Sequence, residues 1–393
     1  MDNSDKKNIL YVFFTKQCSG AEISSINYIK KLDKEKFSPI AAVPAQGKVC
    51  SLLEKEKIPF IIEPTALFSF RNPFPFFKAV WSFKKIMEKQ KIDIVHVNSL
   101  YPHQYVSLAA KLCKIPCVVH LQNIHTPAEF RRYFISLAEK VIVVSKPIAS
   151  PVNLYINNPK RIFFLYHAVD CIKFYLDDET NNKEKDDKEE YHNRENLRKQ
   201  YEIPLKHLCV ALIGLIEERK GQHLYLEAAK KILEKNKKVH FFIIGDSFFT
   251  NGDYKKSLKE FVAKHQMGKN VHFTGFQEDI PSLLKDIDIV VFPYSNEPLG
   301  LAAIEASAAG KAIVGFASSG LLEVIENNKT GILVPEKDIA RMKEAIEQYL
   351  NDPSLRIKHG NAAREKARKQ FNIDINIQQL MEMYKEVLKE SRS

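Results

Sequence analysis

Short apolar runs rich in β-branched residues alternate with helical patterns along nearly the whole chain. Because strands buried on both faces need helical connections, this alternation predicts parallel sheets covered by helices. The strands predicted in the first half are Ile9–Phe14, Ser38–Val43, Ile92–Val97, Cys117–Leu121, Val141–Val144 and Ile162–Leu165. Those predicted in the second half are Leu208–Ile213, His240–Ile244, Val271–Phe273, Ile289–Phe292, Ala312–Gly315 and Gly331–Val334. We therefore expect an α/β fold with two doubly wound, Rossmann-like domains facing each other across a cleft.

A densely charged segment separates the two halves. Residues 176–196, with the sequence LDDETNNKEKDDKEEYHNREN, contain almost no apolar side chains. Such a composition predicts a solvent-exposed insertion, because it has too little apolar surface to join a core. We expect a first domain over residues 1–170, a charged linker over 176–200 and a second domain over 201–370.

Length and composition are those of a globular protein with two domains. The chain of 393 residues is too long for one ordinary core, and its 45% hydrophobic content is normal. It has no run of 18 apolar residues, and the six-residue apolar run near its start is too short for a signal peptide. The expected location is therefore the cytoplasm. Six scattered cysteines without a second Cys or His pair at zinc spacing predict no metal site.

The positive charge is concentrated in the first half. The formal net charge is +11, and residues 1–170 contain 24 Lys and Arg residues against 13 Asp and Glu, whereas the remainder holds 35 of each kind. A basic surface attracts phosphates, anionic lipids or nucleic acid, although a merely solvated lysine-rich surface has the same composition. No nucleic-acid-binding module is recognisable, so no nucleic-acid partner is predicted.

The most specific motif occupies residues 294–310, directly after the predicted strand Ile289–Phe292. Open α/β sheets bind ligands at the carboxyl ends of their strands, and a helix start offers unpaired N–H groups to a diphosphate. The helix is predicted to start within Pro298–Gly300, and Gly300 lets a ligand approach the backbone closely. Glu297 can reach sugar hydroxyls, and Glu305 can accept both hydroxyls of a ribose. The alternative is an acidic residue that favours the helix dipole and an unrelated helix glutamate.

Turns at the ends of neighbouring strands favour a nucleotide pocket over that alternative. The turn GLIEERKG, residues 214–221, leads into a helix, and its Lys220 can neutralise a phosphate as a point charge. Further strand-to-helix turns follow at residues 244–247, 274–276 and 318–323. Since such turns meet at one edge of a parallel sheet, together they predict one pocket.

These motifs resemble those of glycosyltransferase family 4, the retaining enzymes of the GT-B fold. Their G-R-L-x3-K-G turn, E-x7-E segment and G-G turn correspond here to Gly214–Gly221, Glu297–Glu305 and Ser319–Gly320. The similarity is close over about residues 205–335 and looser over the rest of the chain. In similar proteins the last helix, here near residues 375–393, crosses back to brace the first domain.

The resemblance implies a role for each residue of the second-half motifs. Lys220 would hold the donor diphosphate together with the backbone of Gly300 and Leu301. Glu305 would bind the ribose, and Glu297 would contact the donor sugar near the reacting centre. Family members need neither a metal nor a cofactor, because cations and a helix start neutralise the leaving diphosphate. The implied donor substrate is a nucleotide sugar, with a UDP-sugar favoured.

One cation of the family's diphosphate clamp is replaced in this chain. The family's Arg falls at Leu215, and the nearby Arg219 is the candidate substitute. Loss of a charge-assisted hydrogen bond typically costs ~1.5–3 kcal/mol. A weakly active or silent protein is therefore an alternative to an ordinary enzyme.

In the first half the resemblance implies contacts from three residues. The segment Ser19–Glu22 occupies the place of the family's G-G-x-E loop, where Gly20 would allow close backbone access to the donor. The family's functional His falls at Gln122, and His120 lies two residues earlier on the same face of the predicted strand. Either side chain could bond to the donor sugar, and a core histidine bonded within the protein is the alternative for His120.

A basic, aromatic helix offers a candidate membrane contact. The segment Phe76–Lys89 mixes apolar side chains with lysines at helical spacing. With residues 131–134 it could rest on an anionic membrane and reach a lipid-linked acceptor, which would place the protein peripherally on the inner face. An ordinary helix with buried aromatics and solvated lysines is the alternative.

The predicted function is retaining transfer of a sugar from a nucleotide-diphosphate-sugar donor to a hydroxyl of a sugar or lipid-linked acceptor. Polysaccharide, glycolipid or other glycoconjugate synthesis is the expected context. The alternatives are a nucleotide-sugar epimerase and a catalytically silent partner subunit.

Overall fold

The computed structural model describes residues 6–65, 67–69, 71–156, 158–174, 197–248 and 252–391. The chain divides into two compact units: the first runs to Ala168 and resumes at Ile373, and the second spans Val169–Asn372. The charged segment predicted over residues 176–200 lies outside the described residues, except for its last four, which form a short helix.

The first unit is built on a seven-stranded sheet in which every pairing is parallel. Its strands are β1 (Lys7–Val12), β2 (Phe37–Val43), β3 (Phe60–Ile62), β4 (Ile94–Val97), β5 (Cys117–Leu121), β6 (Lys140–Val143) and β7 (Ile162–Phe164). Its helices are α1 (Gly20–Lys31), α2 (Lys48–Lys55), α3 (Phe74–Lys89), α4 (Leu100–Cys113), α5 (Pro127–Arg132) and α6 (Lys146–Val152). The strand order β3-β2-β1-β4-β5-β6-β7 is that of a doubly wound sheet.

The C-terminal helix, Ile373–Glu390, belongs to the core of this first unit. Its apolar side chains, such as Leu380 and Met383, are fully buried in one cluster with β1, α1 and α2. Full burial of one such side chain contributes roughly 1.5–3 kcal/mol, so this apolar face anchors the helix. Its Tyr384 hydroxyl also lies 2.6 Å from the hydroxyl of Tyr11 on β1.

The second unit contains a six-stranded sheet, also parallel throughout. Its strands are β8 (Leu208–Ile213), β9 (Val239–Ile244), β10 (Val271–Gly275), β11 (Ile289–Phe292), β12 (Ala312–Phe316) and β13 (Ile332–Val334). Its helices are α7 (Leu197–Gln200), α8 (Gln222–Leu233), α9 (Asp253–Lys264), α10 (Ile280–Lys285), α11 (Leu301–Ala308), α12 (Leu321–Val324), α13 (Ile339–Asn351) and α14 (Pro353–Gln370). The order β10-β9-β8-β11-β12-β13 places β8 and β11 side by side at the centre.

The prediction of two parallel α/β domains is confirmed. The pattern missed β3, because a three-residue, half-exposed edge strand is too short to show a periodicity. None of the helices in the described part of the chain has the length and apolar character needed to cross a lipid bilayer.

Candidate functional site

The turn after β8 and the loop after β11 lie against each other in the second unit. Their strands are neighbours, and the Ser295 N–H donates to the Arg219 carbonyl at 3.1 Å. At Gly221, where φ is +67°, an added Cβ would lie 2.3 Å from the Pro293 carbonyl oxygen. Only glycine permits both this backbone conformation and this approach, so Gly221 holds the two segments together.

Three predicted side chains meet where these segments touch. Lys220 Nζ lies 2.6 Å from Glu297 Oε2, and Arg219 Nη1 lies 3.2 Å from the same oxygen. The side chains of Lys220 and Glu297 are about nine-tenths buried, whereas that of Arg219 is 44% exposed. One buried carboxylate is therefore shared by two cations, one of which remains accessible to solvent.

The Lys220 ammonium is held on a second side by an aromatic ring. It lies 3.9 Å from the centroid of the Tyr294 ring, and the Tyr294 hydroxyl donates to the carbonyl of Ile213 at the end of β8. Desolvation lowers the pKa of Lys220, and the Glu297 carboxylate opposes that shift. The ammonium is therefore confined to one position by a carboxylate and a ring face.

A third turn supports the backbone around Glu297. The Gly320 N–H donates to the Glu297 carbonyl at 2.9 Å, and the Asn296 N–H donates to Ser318 Oγ at 3.2 Å. A Cβ at Gly320 would lie 2.2 Å from the Pro298 carbonyl oxygen. The turns after β8, β11 and β12 thus form one packed assembly around Glu297.

The helix that follows the loop begins slightly later than predicted. Gly300, with φ +95°, precedes α11, whose first residue is Leu301. The first-turn N–H groups of a helix lack intrahelical partners and carry its positive dipole end. This helix start follows Glu297 by four residues, so the predicted diphosphate-binding backbone lies next to the ion cluster.

Glu305 lies one turn into α11 and is half-buried. Desolvation raises the pKa of its carboxyl to about 8, and no charged or hydrogen-bonding group among the described residues opposes the shift. Such a carboxyl is suited to accept hydrogen bonds from ligand hydroxyls, which would favour its ionised form.

Leu215 and Arg219 have different partners in the turn after β8. The Leu215 carbonyl accepts a 2.7 Å hydrogen bond from the Gln222 side chain, so Leu215 contributes backbone rather than charge to the turn. Arg219 is instead oriented by Glu297 and by Glu217, whose carboxylate lies 2.7 Å away. Gln222 was missed by sequence reasoning, since a glutamine at a helix start carries no motif of its own.

The remaining strand-end turns of this sheet also come together. The Gly214 N–H donates to the Ile244 carbonyl and the Gly245 N–H donates to the Gly275 carbonyl, each at 2.9 Å. Beside them Lys255 forms a 2.6 Å ion pair with Asp246, a pair that no sequence signal indicated because Lys255 lies on the following helix. The turns selected from the sequence therefore share one edge of the sheet.

In the first unit Gly20 is the first residue of α1. The preceding Ser19 donates its N–H and its hydroxyl to Glu22 Oε2, at 2.9 and 2.5 Å. This is a capping box, which fixes the helix start and uses the Glu22 carboxylate for structure. Gly20 is thus placed on a rigid helix N-terminus at the carboxyl edge of the sheet.

His120 and Gln122 occupy different polar networks at β5. His120 Nδ1 lies 3.3 Å from His96 Nε2, and His96 Nδ1 lies 2.6 Å from the Tyr384 hydroxyl, so His120 joins a buried chain to the C-terminal helix. Burial lowers the pKa of His96 to about 3 and that of His120 well below its usual value, so both rings are neutral. This arrangement fits the core-histidine alternative for His120.

Gln122 lies just beyond β5 and is 4% exposed. Its amide donates to Ser25 Oγ at 3.0 Å, and that hydroxyl contacts the Asn98 side-chain oxygen, also at 3.0 Å. The Gln122 Oε1 atom has no hydrogen-bond partner within the described part of the chain. His120 Nε2 also has no hydrogen-bond partner within that part of the chain, so each of the two side chains keeps one polar atom that the described residues do not use.

Two family models match the chain. The model of glycosyl transferases group 1 matches residues 193–369, and that of glycosyltransferase family 4 matches residues 19–173. Together they cover most of the sequence, and each matches one of the two halves recognised from the sequence pattern.

Among curated proteins, the alpha-D-kanosaminyltransferase of Streptomyces kanamyceticus is 29% identical over 196 residues. The match covers 49% of this chain and 49% of that protein, so the chain spans about half the length of this relative. A UDP-Gal:alpha-D-GlcNAc-diphosphoundecaprenol alpha-1,3-galactosyltransferase of Escherichia coli is 25% identical over 398 residues, covering 96% of this chain and 97% of that protein.

Solved structures share the fold over almost the whole chain. A glycosyltransferase from Rickettsia africae superimposes with a TM-score of 0.84 at 23% identity, covering 98% of this chain and 99% of that one. The Anabaena protein HepE in complex with UDP-glucose gives a TM-score of 0.80 at 21% identity, covering 96% and 99%.

Proposed function

Because the chain belongs to the group 1 and family 4 glycosyltransferases, we propose that it transfers a sugar from a nucleotide-diphosphate-sugar donor to a hydroxyl of a sugar or lipid-linked acceptor. The observation that carries this proposal is the convergence of Lys220 and Arg219 on Glu297, next to the start of α11. Two cations and a helix N-terminus are the groups that a departing diphosphate requires.

The ion pairs with Glu297 hold Lys220 and Arg219 in place before a donor binds. Glu297 pairs with Lys220 and shares Arg219 with Glu217 in the free protein, so neither cationic side chain has to be reoriented from solvent. When a diphosphate binds, its oxygens replace Glu297 as partners of Lys220 and Arg219. The released carboxylate is then available to accept hydrogen bonds from the donor sugar.

The proposed reaction breaks the bond between the anomeric carbon and the diphosphate oxygen. The leaving nucleoside diphosphate takes the bond electrons, and Lys220, Arg219 and the α11 N–H groups stabilise its charge. The acceptor oxygen bonds to the anomeric carbon on the face that the diphosphate leaves, with retention, and its proton passes to the departing phosphate. Retention rests on the family resemblance, and no metal is required by these groups.

A uridine diphosphate sugar is the proposed donor. The galactosyltransferase relative carries UDP-Gal in its name, and the HepE structure contains UDP-glucose. The same relative's diphosphoundecaprenol acceptor supports a lipid-linked acceptor here. We further propose that the protein works peripherally on the inner face of a membrane, where such acceptors are reached.

The proposal is tested with a panel of UDP-, GDP- and ADP-sugars. We expect one preferred donor by calorimetry and slow release of its nucleoside diphosphate, with release lost in Glu297→Ala. Absence of binding to every donor at millimolar concentration would contradict the proposal. Normal donor affinity without transfer to any acceptor would instead indicate a silent partner subunit, and isomerised donor would indicate an epimerase.

The affinity for UDP is expected to depend on pH through Glu305. Its pKa of about 8 means that the carboxyl is mostly protonated at pH 7, whereas accepting ribose hydroxyls favours the ionised form. Affinity should therefore rise with pH, by at most about tenfold per unit below pH 8, and level off above it.

Titration calorimetry of the wild type and Glu305→Gln between pH 6 and 9 measures this dependence. The ratio of the two affinities removes the titration of UDP itself, because both proteins bind the same ligand. A ratio that does not change with pH would show that Glu305 does not bind the ribose as a carboxylate.

A further inference from the structure

Helix α3 presents an exposed aromatic stripe to solvent. Its buried side chains are Phe76, Ala79, Val80, Phe83 and Met87, which together form its core-facing side. On the opposite side Phe74, Phe77 and Trp81 are 73%, 59% and 55% exposed. Their spacing of three and four residues places them on one face of the helix, and we call these three residues the aromatic stripe.

The aromatic stripe is not needed to hold α3 in place. The helix already packs on the unit through its five buried apolar side chains, and of the three exposed rings that of Phe77 touches the buried Phe76 ring at 5.5 Å between centroids. A contiguous set of large apolar side chains rimmed by polar residues marks an interaction surface on a soluble domain. The chain's single tryptophan is one of the three residues.

The charge around the stripe is strongly positive. Residues 71–91 contain six Lys and Arg residues against one Glu. Lys78 and Lys85 follow Phe74 and Trp81 by four residues and are exposed on the same face, and Lys84 Nζ lies 5.1 Å from the Trp81 ring centroid. Aromatic rings flanked by lysines on one helix face complement a surface with anionic headgroups above an apolar layer.

The stripe begins at the functional edge of the first sheet. Because α3 connects the parallel strands β3 and β4, it runs back from their carboxyl ends. Phe74, its first residue, therefore lies toward the edge at which Gly20 and Gln122 also lie. A bilayer held by the stripe would be close to the loops of that edge.

We propose that the aromatic stripe and its lysines dock the protein on an anionic lipid bilayer. The rings lie at the boundary between headgroups and acyl chains, and Lys78 and Lys85 contact anionic headgroups. An acidic protein partner would use the same charge but would not place the rings in an apolar layer. The docking is independent of the transfer reaction, so its test requires no turnover.

The first measurement uses Trp81 as a built-in reporter. Vesicles of phosphatidylcholine with 30% phosphatidylglycerol are added to the full-length protein, and flotation, emission wavelength and acrylamide quenching are recorded. We expect binding, a blue shift and reduced quenching, with at least tenfold weaker binding to pure phosphatidylcholine. Binding without any change in Trp81 emission would overturn the proposal, and so would equal binding to both vesicles.

Matched variants distinguish binding through the aromatic stripe from nonspecific hydrophobic binding and from an effect of net charge alone. Phe74→Ser with Phe77→Ser should weaken binding at least tenfold and remove the blue shift, whereas Leu154→Ser, at a leucine that is 76% exposed, should leave both unchanged. Lys78→Glu with Lys85→Glu should weaken binding at least tenfold. The same charge reversal at the exposed Lys34 and Lys55 should weaken it much less.

Two outcomes of the variant series would refute docking by the stripe. One is wild-type binding by the double serine variant, and the other is an equal loss from both lysine pairs. An unchanged unfolding temperature confirms that each variant is folded. If the wild type transfers sugar normally but no vesicle binds it, the docking proposal fails while the proposed function stands.

Discussion

Replacing Lys220 by alanine is expected to lower the rate of sugar transfer by about 10²–10³-fold, the usual effect of removing one preorganised group that stabilises developing charge. The ammonium is held 2.6 Å from Glu297 and against the Tyr294 ring, so it is positioned before the donor arrives. Without it, the leaving diphosphate would be stabilised by Arg219 and the start of α11 alone. Steady-state rates with the preferred donor, at saturating donor and acceptor, measure the effect.

The Lys220 variant also leaves Glu297 with one fewer cation, so a stability loss must be separated from a loss of catalysis. Lys343→Ala is the matched control, because Lys343 is a half-buried lysine with its own 2.6 Å ion pair, to Glu347, in the same unit. Its rate should equal that of the wild type. Arg219→Ala should lose only about tenfold, since the guanidinium is 44% exposed and an exposed contact is screened by solvent. A folded Lys220→Ala protein with an unchanged rate would remove Lys220 from the mechanism.

Replacing Gly320 by alanine is expected to lower the free energy of unfolding by about 3 kcal/mol, as overpacking of a rigid site does. The added methyl would lie 2.2 Å from the Pro298 carbonyl oxygen and 2.5 Å from Leu299 Cα, both backbone atoms that cannot turn aside. Since φ at Gly320 is −67°, the effect is steric and owes nothing to backbone conformation. Denaturant unfolding followed by circular dichroism measures it.

Gly268→Ala is the control for this substitution, because nothing lies within 4 Å of a Cβ at Gly268. We expect a change within about 0.5 kcal/mol there. Gly320→Ala should also weaken donor binding, because the Gly320 N–H holds the Glu297 carbonyl. Equal stability of the two variants would show that the loop around Glu297 can move to make room, contrary to the packing described.

Much of the second unit could be predicted because its strands are buried on both faces. The predicted strands Leu208–Ile213 and Ile289–Phe292 have the bounds seen in the structure, since a central parallel strand is a continuous apolar run between polar turns. The same reasoning placed Lys220 and Glu297 at strand ends of one sheet. The two residues are 77 apart in sequence but in contact in space, because the doubly wound order makes β8 and β11 neighbours.

Side-chain direction in the turns could not be predicted in this way. Arg219 lies in a turn, where no helical or strand periodicity shows which way a side chain points. The 3-10 turn Glu218–Lys220 orients it toward Glu297. Likewise all five residues of β5 are buried, so the strand pattern does not distinguish His120 from its neighbours. Its partner His96 lies on a different strand, so only the sheet pairing reveals that the histidine is used within the core.

The sequence by itself determined the two parallel α/β units and the residue types at the strand ends, because burial on both faces of a sheet and strand-to-helix turns leave local patterns. Tertiary structure decided which of those residues meet, since contacts such as Arg219 with Glu297 depend on strand order and turn geometry rather than on neighbours in the chain. It also decided which aromatics of α3 are exposed. Phe76 and Phe77 are adjacent and chemically identical, and only packing of the helix on its unit buries the first and leaves the second in solvent.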